Sequence, residues 1–177
     1  MRLIIAATAA SMLLSSAAYA QAGPTDSATA NASAEVVAPL HITCTNMHFA
    51  QLAPIHTATT VVLPAQGSPL VDPDNIVVPG TRDNAQPSNC QVTGENGLTF
   101  HVTLPSSTTL VHGSDSMLLD TFTISTDTDA DPFNRLLEDD GSGGGLAGFG
   151  VGATLHVGAD QPAGLYSGPF VVSVQYN

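Results

Sequence analysis

The chain has 177 residues and is strongly acidic, since 15 Asp and Glu against 3 Lys and Arg give a formal net charge of −12. Such a surface repels phosphate backbones and anionic lipid headgroups, so we expect binding neither to nucleic acid nor to a membrane surface. The length suits one domain with a full hydrophobic core.

The first 20 residues have the features of a secretory signal peptide. Arg2 supplies the positive end, residues 3–14 supply the apolar stretch, and Ala18-Tyr19-Ala20 supplies the cleavage site between small residues. The apolar stretch is too short to span a bilayer. We therefore expect cleavage after Ala20 and export to the periplasm, the cell surface or the medium, without membrane insertion of the mature chain. Because Arg2 is removed, the mature chain has a net charge of −13.

The segment that follows alternates between apolar and mostly polar residues. Every even position from 28 to 44 is apolar, starting with Ala28, Ala30, Ala32, Ala34 and Val36. A period of two places these side chains on one face of an extended strand. These 17 residues reach roughly 56 Å at about 3.3 Å each, whereas a globule of this size is about 40 Å across. The strand therefore either folds back or pairs with something outside its own domain. We divide the mature chain into a flexible or donor-strand-like extension (21–33) and one domain (34–177).

Cys44 and Cys90 are the only two cysteines. In an exported chain a pair of cysteines most often forms a disulfide. Closing this loop stabilises the fold by about 4 kcal/mol on the chain-entropy model. The alternative, two free buried thiols, is disfavoured in an oxidising compartment.

Short alternating runs recur along the rest of the chain, and helical periodicity is nearly absent. Seven to nine such strands predict an all-β fold, a single immunoglobulin-like β-sandwich. The predicted strands are residues 98–104, 151–157 and 170–176, with weaker candidates at 59–63, 76–78 and 118–124. In the last strand we expect four side chains to face the core: Phe170, Val172, Val174 and Tyr176.

Three other stretches break this pattern. Residues 64–89 are rich in proline and residues 139–150 in glycine, so we predict connecting loops there, the second of them mobile. Residues 132–137 suggest a short helical turn.

An acidic loop resembles a calcium-binding motif. Its carboxylates stand at positions one, three, five and twelve of an EF-hand-like loop: Asp127, Asp129, Asp131 and Glu138. The loop needs a glycine with positive φ at position six, and Pro132 cannot adopt that conformation. We interpret the stretch as a solvated acidic loop rather than a metal site.

Other chemical motifs lack the context that their chemistry needs. The G-x-G-x-x-G at 143–148 has neither a preceding strand nor a following helix. No two histidines are spaced as paired metal ligands, and His41, His101 and His156 fall on the polar sides of their strands, where we expect them to be exposed. Residues 164–168 misplace the serine of a nucleophile elbow. We therefore expect no catalytic residues and no cofactor.

The C-terminal part contains three characteristic segments: VGATLHV at 151–157, QPAGLYSG at 161–168 and FVVSVQYN at 170–177. Together they resemble the ending of an exported bacterial family known as domain of unknown function 4402. Near the start of the domain, APLHIT at 38–43 and MHFA at 47–50 match the family's P-L-x-I and L-x-F-G segments, with Ala50 where glycine is usual. Members are β-sandwich proteins similar to spore coat protein U and to the pilin subunits of archaic chaperone–usher pili. The resemblance spans about residues 34–177.

The resemblance implies a pilin-like or coat-like surface subunit that is not an enzyme. In the pilin relatives, the N-terminal extension of the next subunit fills an apolar groove by β-strand addition, and Ala28, Ala30, Ala32, Ala34 and Val36 are the donor-strand candidates here. An assembly chaperone would hold the last strand near Tyr176 and Asn177. The alternative is a monomeric periplasmic or secreted module that binds a ligand such as carbohydrate through residues 64–89. The absence of tryptophan counts against a sugar site.

Overall fold

The computed structural model describes residue 23 and residues 26–66, 70–125 and 131–177. The predicted signal peptide and two calcium-site candidates, Asp127 and Asp129, lie outside these ranges. Within them the chain forms ten strands and one 3-10 turn, Arg82–Asn84. The strands are β1 His41–Cys44, β2 Thr59–Leu63, β3 Ser88–Gly94, β4 Thr99–Thr103, β5 Ser107–His112, β6 Asp115–Ile124, β7 Asn134–Leu136, β8 Glu138–Asp139, β9 Gly145–Val157 and β10 Ser173–Tyr176.

The chain divides between Glu35 and Val36 into two units. In the first unit, residues 26–35 are exposed and belong to no strand. The long alternating pattern therefore forms a strand only at its end, in β1. The second unit, Val36–Asn177, contains both sheets.

The larger sheet has seven strands and is organised around β9. Its main path is β1-β3-β9-β6-β5, and β2 and β8 also pair with β9. One edge of β9 pairs first with β3 and then with β2, and the other edge pairs with β8 and β6. All of these pairings are antiparallel. The 13 residues of β9 thus join four other strands.

The first half of β9 corrects the prediction of a mobile connection at 139–150. Residues 145–151 pair with β3 along its whole length. Glycines are needed here because a Cβ on Gly150 or Gly152 would meet the backbone carbonyl of Ala65 or Leu63. These glycines permit close packing of the neighbouring chain.

The second sheet has three strands in the order β10-β4-β7 and makes the fold a β-sandwich, as predicted. The expected helical turn at 132–137 is instead largely β7, which pairs with β4. Phe100 and Val102 from the small sheet pack in one cluster with Val92 and Val151 from the large sheet, and all four are fully buried. Each such burial contributes about 1.5–3 kcal/mol. The immunoglobulin-like topology stays a prediction.

The predicted disulfide between Cys44 and Cys90 is present, with an S–S distance of 2.03 Å. The two residues are direct partners in the β1–β3 ladder. The disulfide therefore fixes β1 to β3 in the large sheet.

The described parts of the Pro-rich segment, residues 64–66 and 70–89, belong to the folded body. This segment contributes buried apolar side chains to the core, namely Leu70, Ile76, Val77 and Ala85. The Asp72 carboxylate organises it by accepting hydrogen bonds from the backbone N–H groups of Ile76 at 3.0 Å and Val77 at 2.9 Å and from the Arg82 guanidinium at 2.9 Å. The weak strand candidate at 76–78 is reduced to a bridge between Val77 and Leu52.

Candidate functional site

The first feature of interest is an open strand edge on β1. Since β1 begins the order of the large sheet, only one of its edges is paired. The Thr45 N–H donates to the Asn89 carbonyl at 2.9 Å. Hydrogen-bonded and non-hydrogen-bonded pairs alternate in an antiparallel ladder. The backbone groups of Ile42 and Cys44 consequently point away from β3, toward the open edge.

A second open edge lies on β10, which begins the order of the small sheet. The Asn177 N–H donates to the Thr99 carbonyl at 3.1 Å, whereas the Val102 N–H donates to Phe133 on the opposite side of β4. By the same alternation, the backbone groups of Val174 and Tyr176 point away from β4. This strand begins three residues later than predicted, and the backbone groups of 170–172 make no backbone–backbone hydrogen bond to any part of the chain that the structure describes.

A cavity of about 770 Å³, which we call the groove, lies beside β1 and the residues that precede β10. One wall is formed by residues 42 and 44–49 and the other by residues 165–172, with Leu110 and Leu119 between them. The lining is largely apolar, and Phe170 and Val172 turn half-buried side chains toward the core. Two unpaired backbone edges beside an apolar floor are what an additional β-strand requires.

A hydrogen-bond cluster forms around Tyr176, at the end of β10. Its hydroxyl accepts from the Glu95 N–H at 2.7 Å and donates to the Ala38 carbonyl at 2.8 Å. The Glu95 carboxylate in turn accepts from the Ala38 N–H at 2.9 Å. These hydrogen bonds hold the start of the sandwich and the end of the last strand together.

Residues 161–169, which we call the strap, lead into the wall opposite β1, where residues 165–169 line the groove. The strap crosses β5, where Val111 and Ser167 exchange backbone hydrogen bonds of 2.9 and 3.2 Å. Gln161 donates to the Tyr166 hydroxyl, which donates to the Pro162 carbonyl, both at 2.9 Å. The segment 161–168 therefore contributes to the groove wall. The comparison of this segment with a nucleophile elbow did not indicate that role. Two apolar side chains remain exposed along this wall, Leu165 at 81% and Val171 at 69%.

The predicted site residues fall into two groups. Cys44, Phe170 and Val172 line the groove, and Val174 and Tyr176 are half-buried against the core cluster that includes Phe100 and Val102. The donor-strand candidates are all exposed: Ala28, Ala30, Ala32, Ala34 and Val36. The groove belongs to the second unit of the chain. The candidate donor residues belong to the first unit, except Val36, which is the first residue of the second unit.

The calcium candidates that the structure describes have other roles. The Asp131 carboxylate accepts the Phe133 N–H at 3.0 Å, and this hydrogen bond holds the pKa of Asp131 below its ordinary value. Glu138 lies in β8 and is exposed. In the described ranges, no three His, Cys, Asp or Glu residues are grouped as metal ligands.

One histidine differs from its predicted exposed position. His41 and His101 are exposed, but His156 is half-buried and its Nε2 lies 2.9 Å from the Asp120 carboxylate. The two strands β6 and β9 bring them together, which alternation along one strand could not indicate. The hydrogen bond from His156 lowers the pKa of Asp120.

These features define a β-sandwich with an open, strand-sized groove between its sheets. The chain belongs to the family described as Domain of unknown function (DUF4402), whose model matches residues 40–176. No curated protein and no solved structure matches the chain. Among the described residues, no helix is both long and apolar enough to cross a membrane.

Proposed function

We propose that this protein is an exported structural subunit, pilin-like or coat-like and without enzymatic activity, that assembles by β-strand addition. In this proposal, residues 28–36 of one copy, which we call the donor segment, occupy the groove of the next copy. The observation that carries the proposal is the groove beside β1 and residues 165–172, together with the edge positions of β1 and β10 in their sheets.

The alternation of apolar and polar side chains in the donor segment suits a strand added in the groove. Its even positions are Ala28, Ala30, Ala32, Ala34 and Val36, and its odd positions are Thr29, Asn31, Ser33 and Glu35. A strand added beside β10 turns one of these sets toward the apolar floor and the other toward solvent. Backbone hydrogen bonds supply the pairing, whereas small methyl groups bury little area each.

Export and a pilin-type assembly chaperone belong to the same proposal. The signal-peptide pattern at 1–20 and the Cys44–Cys90 disulfide support an oxidising compartment. A chaperone strand would protect the open edge near Tyr176 and Asn177 until a donor segment replaces it. Similarity to spore coat protein U and to archaic pilins, which the sequence resemblance implies, is part of the same proposal.

The test compares two double variants of the mature chain. Ala30→Asp with Ala32→Asp places two carboxylates on the face that enters the groove, where burial of unpaired charge is costly. The control, Asn31→Asp with Ser33→Asp, adds the same charge on the opposite face. We expect the first variant to stay monomeric with the parent's melting temperature, and the control to assemble like the parent.

The measurements are size-exclusion chromatography with light scattering, negative-stain microscopy and electrophoresis of unboiled samples. Equal assembly by both variants would exclude the donor role of these alanines. A parent chain that is monomeric at every concentration would overturn strand-added assembly and favour the alternative, a monomeric ligand-binding module.

A further inference from the structure

We infer that Tyr176 and Glu95 form a clamp that fixes the point at which the donor segment leaves its own sandwich. The inference rests on the proposed function and deepens it, because it identifies what keeps consecutive copies in a regular orientation. The clamp holds Ala38 by both of its backbone polar groups. The Ala38 N–H donates to the Glu95 carboxylate at 2.9 Å, and the Ala38 carbonyl accepts from the Tyr176 hydroxyl at 2.8 Å.

Ala38 is a suitable point for a clamp because Pro39 follows it. A residue before proline is restricted to extended conformations, so fixing Ala38 costs less conformational entropy than fixing an unrestricted residue. The two preceding side chains, by contrast, extend into solvent: Val36 is 95% exposed and Val37 is 40% exposed. In the described chain, the clamp is therefore the first point after the donor segment at which both backbone groups of a residue are held.

The clamp also ties the donor segment to the last strand of the same sandwich. The Tyr176 hydroxyl accepts from the Glu95 N–H at 2.7 Å, so the end of β10, the turn after β3 and the chain before β1 meet at one point. The Tyr176 side chain packs against the core cluster that includes Phe100. In the proposed assembly, the incoming strand is added beside β10. The incoming and outgoing segments of one copy are therefore connected through Tyr176, and a force along the filament passes between them at this residue.

The clamp leaves a very short joint between consecutive copies. The donor segment ends at Val36, so only Val37 lies between the bound segment and the clamp. Without the clamp, the next residue held by the sandwich is Leu40, which packs against the core cluster, and residues 37–39 become free. The joint then lengthens from about 3.5 Å to about 10 Å, a roughly threefold greater reach. We expect clamped filaments to be stiff and unclamped filaments to bend.

The first experiment tests the clamp in single copies by NMR, with the mature chain carrying Ala30→Asp and Ala32→Asp to prevent assembly. Glu95→Ala removes the carboxylate and should accelerate amide hydrogen exchange at Ala38 about tenfold. The backbone of Val37 should also become more mobile on the nanosecond timescale. Glu95→Gln keeps an acceptor oxygen and should retain most of the protection. Equal exchange rates in Glu95→Ala and Glu95→Gln would overturn the inference.

The second experiment measures the persistence length of filaments in negative-stain images. Tyr176→Phe keeps the ring that packs in the core cluster but removes both hydrogen bonds of the hydroxyl. Its filaments should have a persistence length shorter by about twofold or more. The control, Thr99→Val, removes an exposed hydrogen bond to Asn177 beside the same end of β10. This control should leave the persistence length unchanged.

The strength of assembly separates the clamp from a role in the groove. The concentration dependence of oligomer formation should be the same in Tyr176→Phe, Thr99→Val and the parent, since none of the clamp residues lines the groove. Filaments of Tyr176→Phe as stiff as those of the parent, or a failure of this variant alone to assemble, would overturn the clamp and leave strand addition standing. A parent chain without oligomers would overturn both.

Discussion

The Asp72 carboxylate offers the sharpest test of how the Pro-rich segment folds. Its side chain is 0% exposed, and it accepts hydrogen bonds from two backbone N–H groups and from Arg82. Asp72→Asn keeps the shape but removes the charge, and its amide NH₂ faces donors where an acceptor is needed. Hydrogen bonds to a charged group contribute about 1.5–3 kcal/mol each, and a mismatched donor pair costs about 1–3 kcal/mol. We expect a loss of about 3 kcal/mol in the free energy of unfolding.

The assay is thermal and urea unfolding of the mature protein. For a domain of this size, 3 kcal/mol lowers the melting temperature by roughly 6–12 °C. The matched control is Asp83→Asn, the same chemical change at an exposed position in the 3-10 turn, which should alter stability by less than about 0.5 kcal/mol. In a double-mutant cycle, Asp72→Asn combined with Arg82→Met should cost less than the two single changes together. Equal melting temperatures for Asp72→Asn and Asp83→Asn would refute the reasoning.

Two further predictions concern the turn after β1 and the pair on β6 and β9. Ala50 has φ of 66°, a conformation that costs an L-residue about 1–2 kcal/mol. Because glycine adopts this conformation without that cost, Ala50→Gly should raise the melting temperature by roughly 2–4 °C. Ala53→Gly, at ordinary φ, should lower it, and a decrease in both variants would contradict the argument. Because Asp120 has a pKa below its ordinary 3.8, its stabilisation is complete above that value and is lost as the pH falls below it. Asp120→Asn should therefore flatten the acid side of the melting-temperature profile between about pH 5 and 2, and parallel profiles would exclude this role.

Alternation identified faces correctly but could not identify partners. It indicated which side chains of residues 170–176 turn toward the core, and the half-buried Phe170, Val172, Val174 and Tyr176 do so. It also predicted a strand over 170–172, where no partner strand lies within the described chain. A strand needs both a pattern and a neighbour, and only the first is local in sequence. The donor segment likewise has the alternating pattern but forms no strand in the described chain.

Glycine-rich stretches were the other source of error. Residues 145–150 lack the bulky side chains by which a strand is recognised, so the sequence predicted a connecting loop there. Their role depends on the carbonyl of Ala65, which is about 85 residues away in the chain. The Tyr176 cluster was missed for a similar reason, since it joins Ala38, Glu95 and Tyr176 from three distant segments.

The position of β9 has a consequence for the order in which the chain can fold. β2 is synthesised early, but its partner β9 is complete only when Val157 has been synthesised. Thr59, the first residue of β2, pairs with Val157. The same late strand also receives β3, β6 and β8. Pairings so distant in sequence fold slowly and leave apolar strands exposed in the meantime. The pairs β1–β3 and β5–β6 can form earlier, but the large sheet can close only after residue 157 has been made.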